Sequence, residues 1–299
     1  MTTIHRILVA TDFSSGARVA VERAVQLAEA HGASLDLLHA FDASAWHGLK
    51  GVFDAQRLVM DPPPDVRVHQ NLNNQAQSLA TTTGLKVEAC FGVGDVGQVI
   101  AARVREKAVS LVVVGSRSEP ELMGLGSAAL KMVRLPPCPV LVVRCAKCHP
   151  YNKVLTAVDM GDVSLHTIDF SASLLPAARH TLLLAMPPSW NSVLDIGSSS
   201  REQLRSVHDA MHAQAVRQLN QLALKHEANL TYPVAAEVID EVPARAIVER
   251  AAALPADCVA IGHHGQSAVA APPLGSLALH VLHHTLRDVL VVPPQAEPV

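Results

Sequence analysis

The stretch DCVAIGHHGQSAVAAPPLGSLA, residues 257 to 278, decides the fold of this chain. Its first part, Cys258-Val259-Ala260-Ile261, is an unbroken apolar run typical of a strand buried in a parallel sheet. The run stops at Gly262, a loop carries Gly265, and Gly275-Ser276 precedes an apolar segment with helical spacing. This order favours a phosphate-binding turn, because glycines reach positive φ and let backbone N–H groups approach an anion at a helix start. The alternative is a plain connection in which Gly275-Ser276 only caps the helix.

The composition predicts a folded protein of two domains. The 299 residues suffice for domains of about 150 residues each, and hydrophobic residues make up 49% against 17% charged, which argues against disorder. A formal charge of −3 offers no electrostatic footprint for nucleic acid or for an anionic membrane. No apolar run reaches the roughly 18 residues of a membrane helix, and the N-terminus enters a strand at once instead of showing a signal peptide. We therefore expect a cytoplasmic protein without nucleic-acid or membrane partners.

The two halves of the chain repeat one pattern of strands and helices. Asp12 and Asp159 each follow a short apolar strand, and they lie 147 residues apart. Gly115 and Gly262, which end another strand in each half, are also 147 residues apart. A shared offset over a hundred residues indicates a tandem duplication. We predict domains over residues 1–147 and 150–299.

Residues 42–70 do not show a regular period. The triple proline Pro62-Pro63-Pro64 interrupts any helical spacing. We expect this segment to be mostly loop, followed by a helix from about Asn71 to Thr83.

The glycine spacing resembles a known signature. Gly262, two residues, Gly265, nine residues and Gly275-Ser276 are similar to the ATP-binding motif G-x2-G-x9-G-S/T of the universal stress protein family. Both halves of the chain resemble this family, which belongs to the adenine nucleotide α-hydrolase-like superfamily. The resemblance implies an α/β fold of two tandem Rossmann-like domains, each a mostly parallel five-stranded sheet between helix layers.

The resemblance also implies a nucleotide site in the second half, for ATP, AMP or ADP. The residues that would frame adenine and ribose are Ala157, Asp159, Ala185 and Met186. Those that would hold the phosphates are Gly262, His263, Gly265, Gly275 and Ser276. Because residues 262 to 276 contain no Lys or Arg, phosphate charge would fall on backbone N–H groups, His263, His264 and a Mg²⁺ ion.

The first half departs from the signature. Its loop from Gly115 to Gly126 is two residues shorter, and Ser118 stands where the second glycine belongs. Glu119 and Glu121 would repel a polyphosphate. We predict that this half does not bind the nucleotide.

The last apolar strand of each half also supports a prediction. In single-domain relatives this strand pairs with its partner across a dimer. The resemblance therefore implies that Val140-Leu141-Val142-Val143 and Val289-Leu290-Val291-Val292 pair with one another inside this chain, which would cover two sheet edges. A further homodimer is left open.

A C-x-x-C-H motif lies between the repeats, at Cys145, Cys148 and His149. Haem attachment accompanies export, and a zinc site would need two more ligands. His208 and His212, one helical turn apart, would need a third ligand to hold a metal. We expect reduced cysteines and no metal.

Three functions remain open from the sequence. The first is a nucleotide-binding stress or regulatory protein without dedicated catalysis, and we assign no catalytic residue. The second is a slow ATP hydrolase or nucleotidyl-transfer enzyme. The third is an interaction module or a protein that binds another small ligand.

Overall fold

The computed structural model describes residues 2–42, 61–116, 126–134, 138–187, 201–228, 230–265 and 274–295. The chain divides into two compact units, Thr3–Cys148 and His149–Val299, the second of which also includes Met1–Thr2. None of the described helices is both long enough and apolar enough to span a membrane.

The first unit alternates strands and helices. Its described elements are β1 (Arg6–Ala10), α1 (Ser15–His31), β2 (Ser34–Phe41), α2 (Pro64–Thr83), β3 (Val87–Val93), α3 (Val96–Lys107), β4 (Leu111–Gly115), α4 (Ser127–Arg134) and β5 (Val140–Val143). The strands lie in the order β3-β2-β1-β4-β5, and every neighbouring pair in this unit is parallel. Right-handed crossovers place α1 and α2 on one face of the sheet and α3 and α4 on the other.

The second unit repeats this architecture. Its described elements are β6 (Lys153–Val158), α5 (Asp162–Leu174), β7 (Arg179–Ala185), α6 (Arg201–Glu227), β8 (Ala235–Ile239), α7 (Pro243–Ala253), β9 (Cys258–Gly262), α8 (Ser276–His284) and β10 (Asp288–Val292). The order β8-β7-β6-β9-β10 is again parallel throughout this unit. By the same crossover rule α7 and α8 share one face, where they pack against each other. The predicted fold class, five-stranded parallel sheets between helix layers, is confirmed.

Helix α2 begins earlier than the sequence pattern predicts. It starts at Pro64, within the segment 42–70 that we expected to be mostly loop. A proline is tolerated at the first helical position, because the N–H that it lacks would have no partner inside the helix. The triple proline therefore starts a helix. Residues 43–60 lie outside the described residues.

Gly115 and Gly262 end the equivalent strands β4 and β9, and both are needed for packing. A Cβ built on Gly115 would lie 2.8 Å from the carbonyl oxygen of Gly16, at the start of α1. A Cβ built on Gly262 would lie 2.8 Å from Val163 Cγ1, at the start of α5. The first turn of a helix thus lies directly against each strand end, which leaves no room for a side chain.

We expect Gly115→Ala to lower the free energy of unfolding by about 1–3 kcal/mol, and Gly262→Ala to lower it by less. The added methyl at Gly115 meets backbone, which moves only if α1 moves. At Gly262 the nearest atom belongs to a side chain that can shift. Urea unfolding of both variants measures the difference, and a larger loss for Gly262→Ala would contradict this explanation.

Candidate functional site

A cleft of about 650 Å³ lies in the second unit, at the carboxyl ends of β6, β7 and β9. Open parallel sheets bind their ligands at this edge. The polar side chains that line it are Asp159, Ser164, His264 and Ser276. The larger apolar side chains are Leu183, Ile247, Ile261, Leu274 and Leu277. Apolar walls with a few polar groups suit a small organic molecule such as an aromatic ring compound.

Most of the predicted site residues meet in this cleft. Those that line it are Ala157, Asp159, Ala185, Gly262, Gly265, Gly275 and Ser276. Met186 and His263 are not among the residues that line it. Met186 N–H donates to Ile239 O at 2.8 Å, and His263 N–H donates to Val292 O at 2.8 Å. The structure therefore brings together seven of the nine predicted positions.

Asp159 is oriented by the turn in which it lies. Its Oδ1 accepts from Gly161 N–H at 3.0 Å and from the Ser164 hydroxyl at 2.5 Å. The Ser164 oxygen in turn accepts from Asp159 N–H at 3.0 Å. Met160, at the tip of the turn, has a φ of 65°. These bonds fix the carboxylate at the cleft wall.

The first unit contains the same turn without the serine. Phe13 has a φ of 64°, and Asp12 Oδ1 accepts from Ser14 N–H at 3.0 Å. Ala17 occupies the position that corresponds to Ser164, 147 residues earlier. Asp12 is exposed, whereas Asp159 is half-buried. The two aspartates therefore share a backbone role, and in the second unit the Ser164 hydroxyl also donates to the Asp159 carboxylate.

The glycines of the loop are explained by close approach and not by positive φ. Among the described residues, glycines with positive φ are Gly32, Gly84 and Gly94. A Cβ on Gly265 would lie 3.0 Å from Asp159 Oδ2, and one on Gly275 would lie 3.2 Å from His263 O. The expectation that these loop glycines supply left-handed backbone is thus wrong for the described positions.

The two ends of the glycine loop are joined in the same way in both units. Gly275 N–H donates to His263 O, and Gly126 N–H donates to Ser116 O, each at 2.8 Å. The loop ends therefore do not distinguish the halves. The predicted differences, at Ser118, Glu119 and Glu121, lie outside the described residues, as do residues 266–273 of the second loop.

Helix α8 directs its N-terminus into the cleft. Gly275 is its N-cap residue and has no side chain that could accept a hydrogen bond from the first turn. Ser276 and Leu277 both line the cleft. The first N–H groups of a helix carry partial positive charge, so this wall attracts an anion.

Several cleft residues were not predicted from the sequence. Ser164 could have been found, because a serine near a helix start, five residues after Asp159, is placed to bond back to the turn. The sequence around Pro243 and Ile247 has no feature that predicts their place in the cleft. They reach the cleft because the crossover places α7 beside α8.

The cysteine and histidine motifs do not build a metal site in the described part of the chain. No three His, Cys, Asp or Glu side chains converge there in a way that could hold an ion. All five cysteines are reduced thiols. Burial raises the pKa of the Cys138 thiol to about 12, and that of Cys90 also to about 12, so neither is a reactive thiolate.

Comparison with known proteins identifies relatives of both halves. The profile of the Universal stress protein family matches residues 3–144 and again residues 150–293. Universal stress protein YxiE of Bacillus subtilis (strain 168) is 32% identical over 146 residues, which cover 47% of this chain and 99% of that protein.

Solved structures of similar fold span nearly the whole chain. A universal stress protein from Archaeoglobus fulgidus DSM 4304 aligns with a TM-score of 0.67 at 16% identity, covering 99% of this chain and 100% of that one. A putative universal stress protein from Pseudomonas aeruginosa UCBPP-PA14 aligns with a TM-score of 0.62 at 22% identity, covering 98% and 94%. At these identities the likeness concerns the fold.

Proposed function

This chain belongs to the universal stress protein family, and on that premise we propose that its second unit binds an adenine nucleotide, ATP, ADP or AMP, in a regulatory or stress-response role in the cytoplasm. The observation that carries the proposal is the meeting of Gly262, Gly265, Gly275 and Ser276 with Asp159 around one cleft. Apolar walls suit the purine, the oriented carboxylate suits ribose hydroxyls, and the α8 N-terminus suits a phosphate. With ADP or ATP, a Mg²⁺ ion would enter bound to the phosphate oxygens.

We expect Asp159→Ala to weaken nucleotide binding by about 10- to 100-fold, because the ligand loses a hydrogen bond to a charged group. The matched control is Asp12→Ala, which removes the same turn bond in the first unit and should leave binding unchanged. Calorimetric titration of AMP and ATP into both variants measures this. If Asp12→Ala abolishes binding and Asp159→Ala does not, the site lies in the other unit.

Analysis of what copurifies separates the proposed role from its alternatives. Mass spectrometry of the purified protein should find an unchanged adenine nucleotide. Product that accumulates in proportion to the protein in a turnover assay would favour a hydrolase. The absence of bound nucleotide, with no binding in titration, would favour an interaction module.

Three predictions from the sequence remain proposals. These are the domain limits 1–147 and 150–299, the pairing of strands 140–143 and 289–292 within one chain, and the failure of the first unit to bind nucleotide. Analytical ultracentrifugation addresses the second, since a chain that pairs its own closing strands should sediment as a monomer unless another surface associates.

A further inference from the structure

The phosphate end of the cleft, which we define by Gly262, Gly265, Gly275 and Ser276, contains no Lys or Arg among the described residues. Asp159 is the charged side chain in the described lining. The segment 266–273, which completes the loop in sequence, reads QSAVAAPP and carries no charge. Arg245 lies between Pro243 and Ile247 in α7, but its side chain is 65% exposed and its Nε lies 2.8 Å from Glu249 Oε1. The fixed charge of the described lining is therefore negative.

His264 lines the cleft, but its Nδ1 is buried and has no hydrogen-bond partner in the described part of the chain. A nitrogen that is closed off from solvent does not contact a phosphate in this conformation. His264 Nδ1 therefore does not take the place of a lysine amine.

Some of the backbone donors of the loop are already used. Gly275 N–H bonds to His263 O, and His263 N–H bonds to Val292 O. The first turn of α8 remains for an anion, and a helix N-terminus is equivalent to about half an elementary positive charge. Half a positive charge opposite one full carboxylate charge leaves the described lining net negative, so the repulsion grows with each phosphate group that a ligand carries.

We infer that this cleft selects adenine ligands with at most one phosphate group, such as AMP or a cyclic monoester, over ATP in the absence of a divalent cation. The inference rests on the proposed function and narrows it. The apolar walls take the base of either ligand equally well. Each further phosphate group adds negative charge that neither Asp159 nor the described lining can neutralise.

The test is calorimetric titration of adenosine, AMP, ADP and ATP into the full chain, at constant ionic strength with EDTA. AMP should bind at least about tenfold more tightly than ATP, and Mg²⁺ should narrow the difference. ATP binding as tightly as AMP without metal would overturn the inference and leave the proposed function standing. Failure of all four ligands to bind would instead overturn the proposed function.

Two variants test whether the charge of the cleft or its shape limits the binding of ATP. Leu277→Lys places a cation on the first turn of α8 and should raise the affinity for ATP at least about tenfold, with a smaller gain for AMP. If Leu277→Lys lowers both affinities equally, steric fit and not charge limits the ligand. Arg245→Ala should leave both affinities unchanged, and a selective loss of ATP binding in that variant would show that Arg245 supplies the charge, which would overturn the inference.

Discussion

Arg103→Met is expected to lower the free energy of unfolding of the first unit by about 3 kcal/mol or more, because it breaks a buried ion cluster. Arg103 Nε lies 2.8 Å from Asp36 Oδ2, and Asp36 is fully buried in β2. Arg6 Nη1 contacts the other carboxylate oxygen at 2.5 Å. Methionine keeps the apolar part of the side chain but leaves Asp36 with only Arg6 of these two cations.

The second unit supplies the matched control, Arg250→Met. Arg250 follows Arg103 by 147 residues and lies on the corresponding helix, α7. It pairs with Glu237, and the two side chains are 31% and 27% exposed. Water can solvate Glu237 after the ion pair is lost, so we expect the free energy of unfolding to fall by about 1 kcal/mol or less. Urea unfolding with hydrogen-exchange mass spectrometry assigns each loss to its unit, and equal losses would contradict the role given to burial.

The same ion cluster determines how the free energy of unfolding changes with pH. The hydrogen bond from Arg103 lowers the pKa of Glu88, against the effect of its own desolvation. A carboxyl with a lowered folded-state pKa contributes stability above its unfolded pKa, and this contribution is lost as the pH falls through the folded pKa. The difference between wild type and Arg103→Met should therefore narrow as the pH falls below the ordinary range of glutamate. A constant difference down to the acid transition would exclude Glu88 as a contributor.

The strands were predictable from the sequence because they are apolar runs, such as β4 and β9, that repeat at one offset. The burial of Asp36 was not predictable, because a single carboxylate within the sequence of β2 does not indicate whether its side chain is buried. Its burial depends on Arg6 and Arg103, which are 30 and 67 residues away along the chain. The spacing of apolar residues predicts helices and strands. It does not predict which charged residues pair when they are far apart in the sequence.

The candidate site also contains residues that the sequence predicted and residues that it did not. Asp159 and the glycines follow strand ends, so topology alone brings them to one edge of the sheet. Met186 was predicted from the family resemblance together with Ala185, at the end of β7, and only Ala185 is among the residues that line the cleft. Successive residues of an extended chain point to opposite faces, so two adjacent side chains rarely enter the same cleft.

Gly265→Val is expected to weaken binding of AMP and of ATP by at least about 100-fold, roughly 2.8 kcal/mol, while leaving the fold intact. The Cβ of any residue here would lie 3.0 Å from Asp159 Oδ2, and apart from the two chain neighbours no other atom of the described residues lies within 4 Å of that Cβ. The valine side chain would therefore enter the cleft beside the carboxylate that we assign to the ligand. Gly265 does not have positive φ, so the substitution adds no left-handed strain to the backbone.

The control for this variant is Ser118→Val, which places valine at the corresponding sequence position of the first loop. Calorimetric titration should show wild-type affinity for Ser118→Val and little heat for Gly265→Val, and thermal unfolding should give similar midpoints for both. Gly275→Val would be a poorer probe, because its Cβ would press on the backbone of His263 and His264 at 3.2 Å whether or not ligand is present. Unchanged affinity in Gly265→Val would mean that the nucleotide binds elsewhere, since a side chain at this position cannot share the space beside Asp159 with a bound ribose.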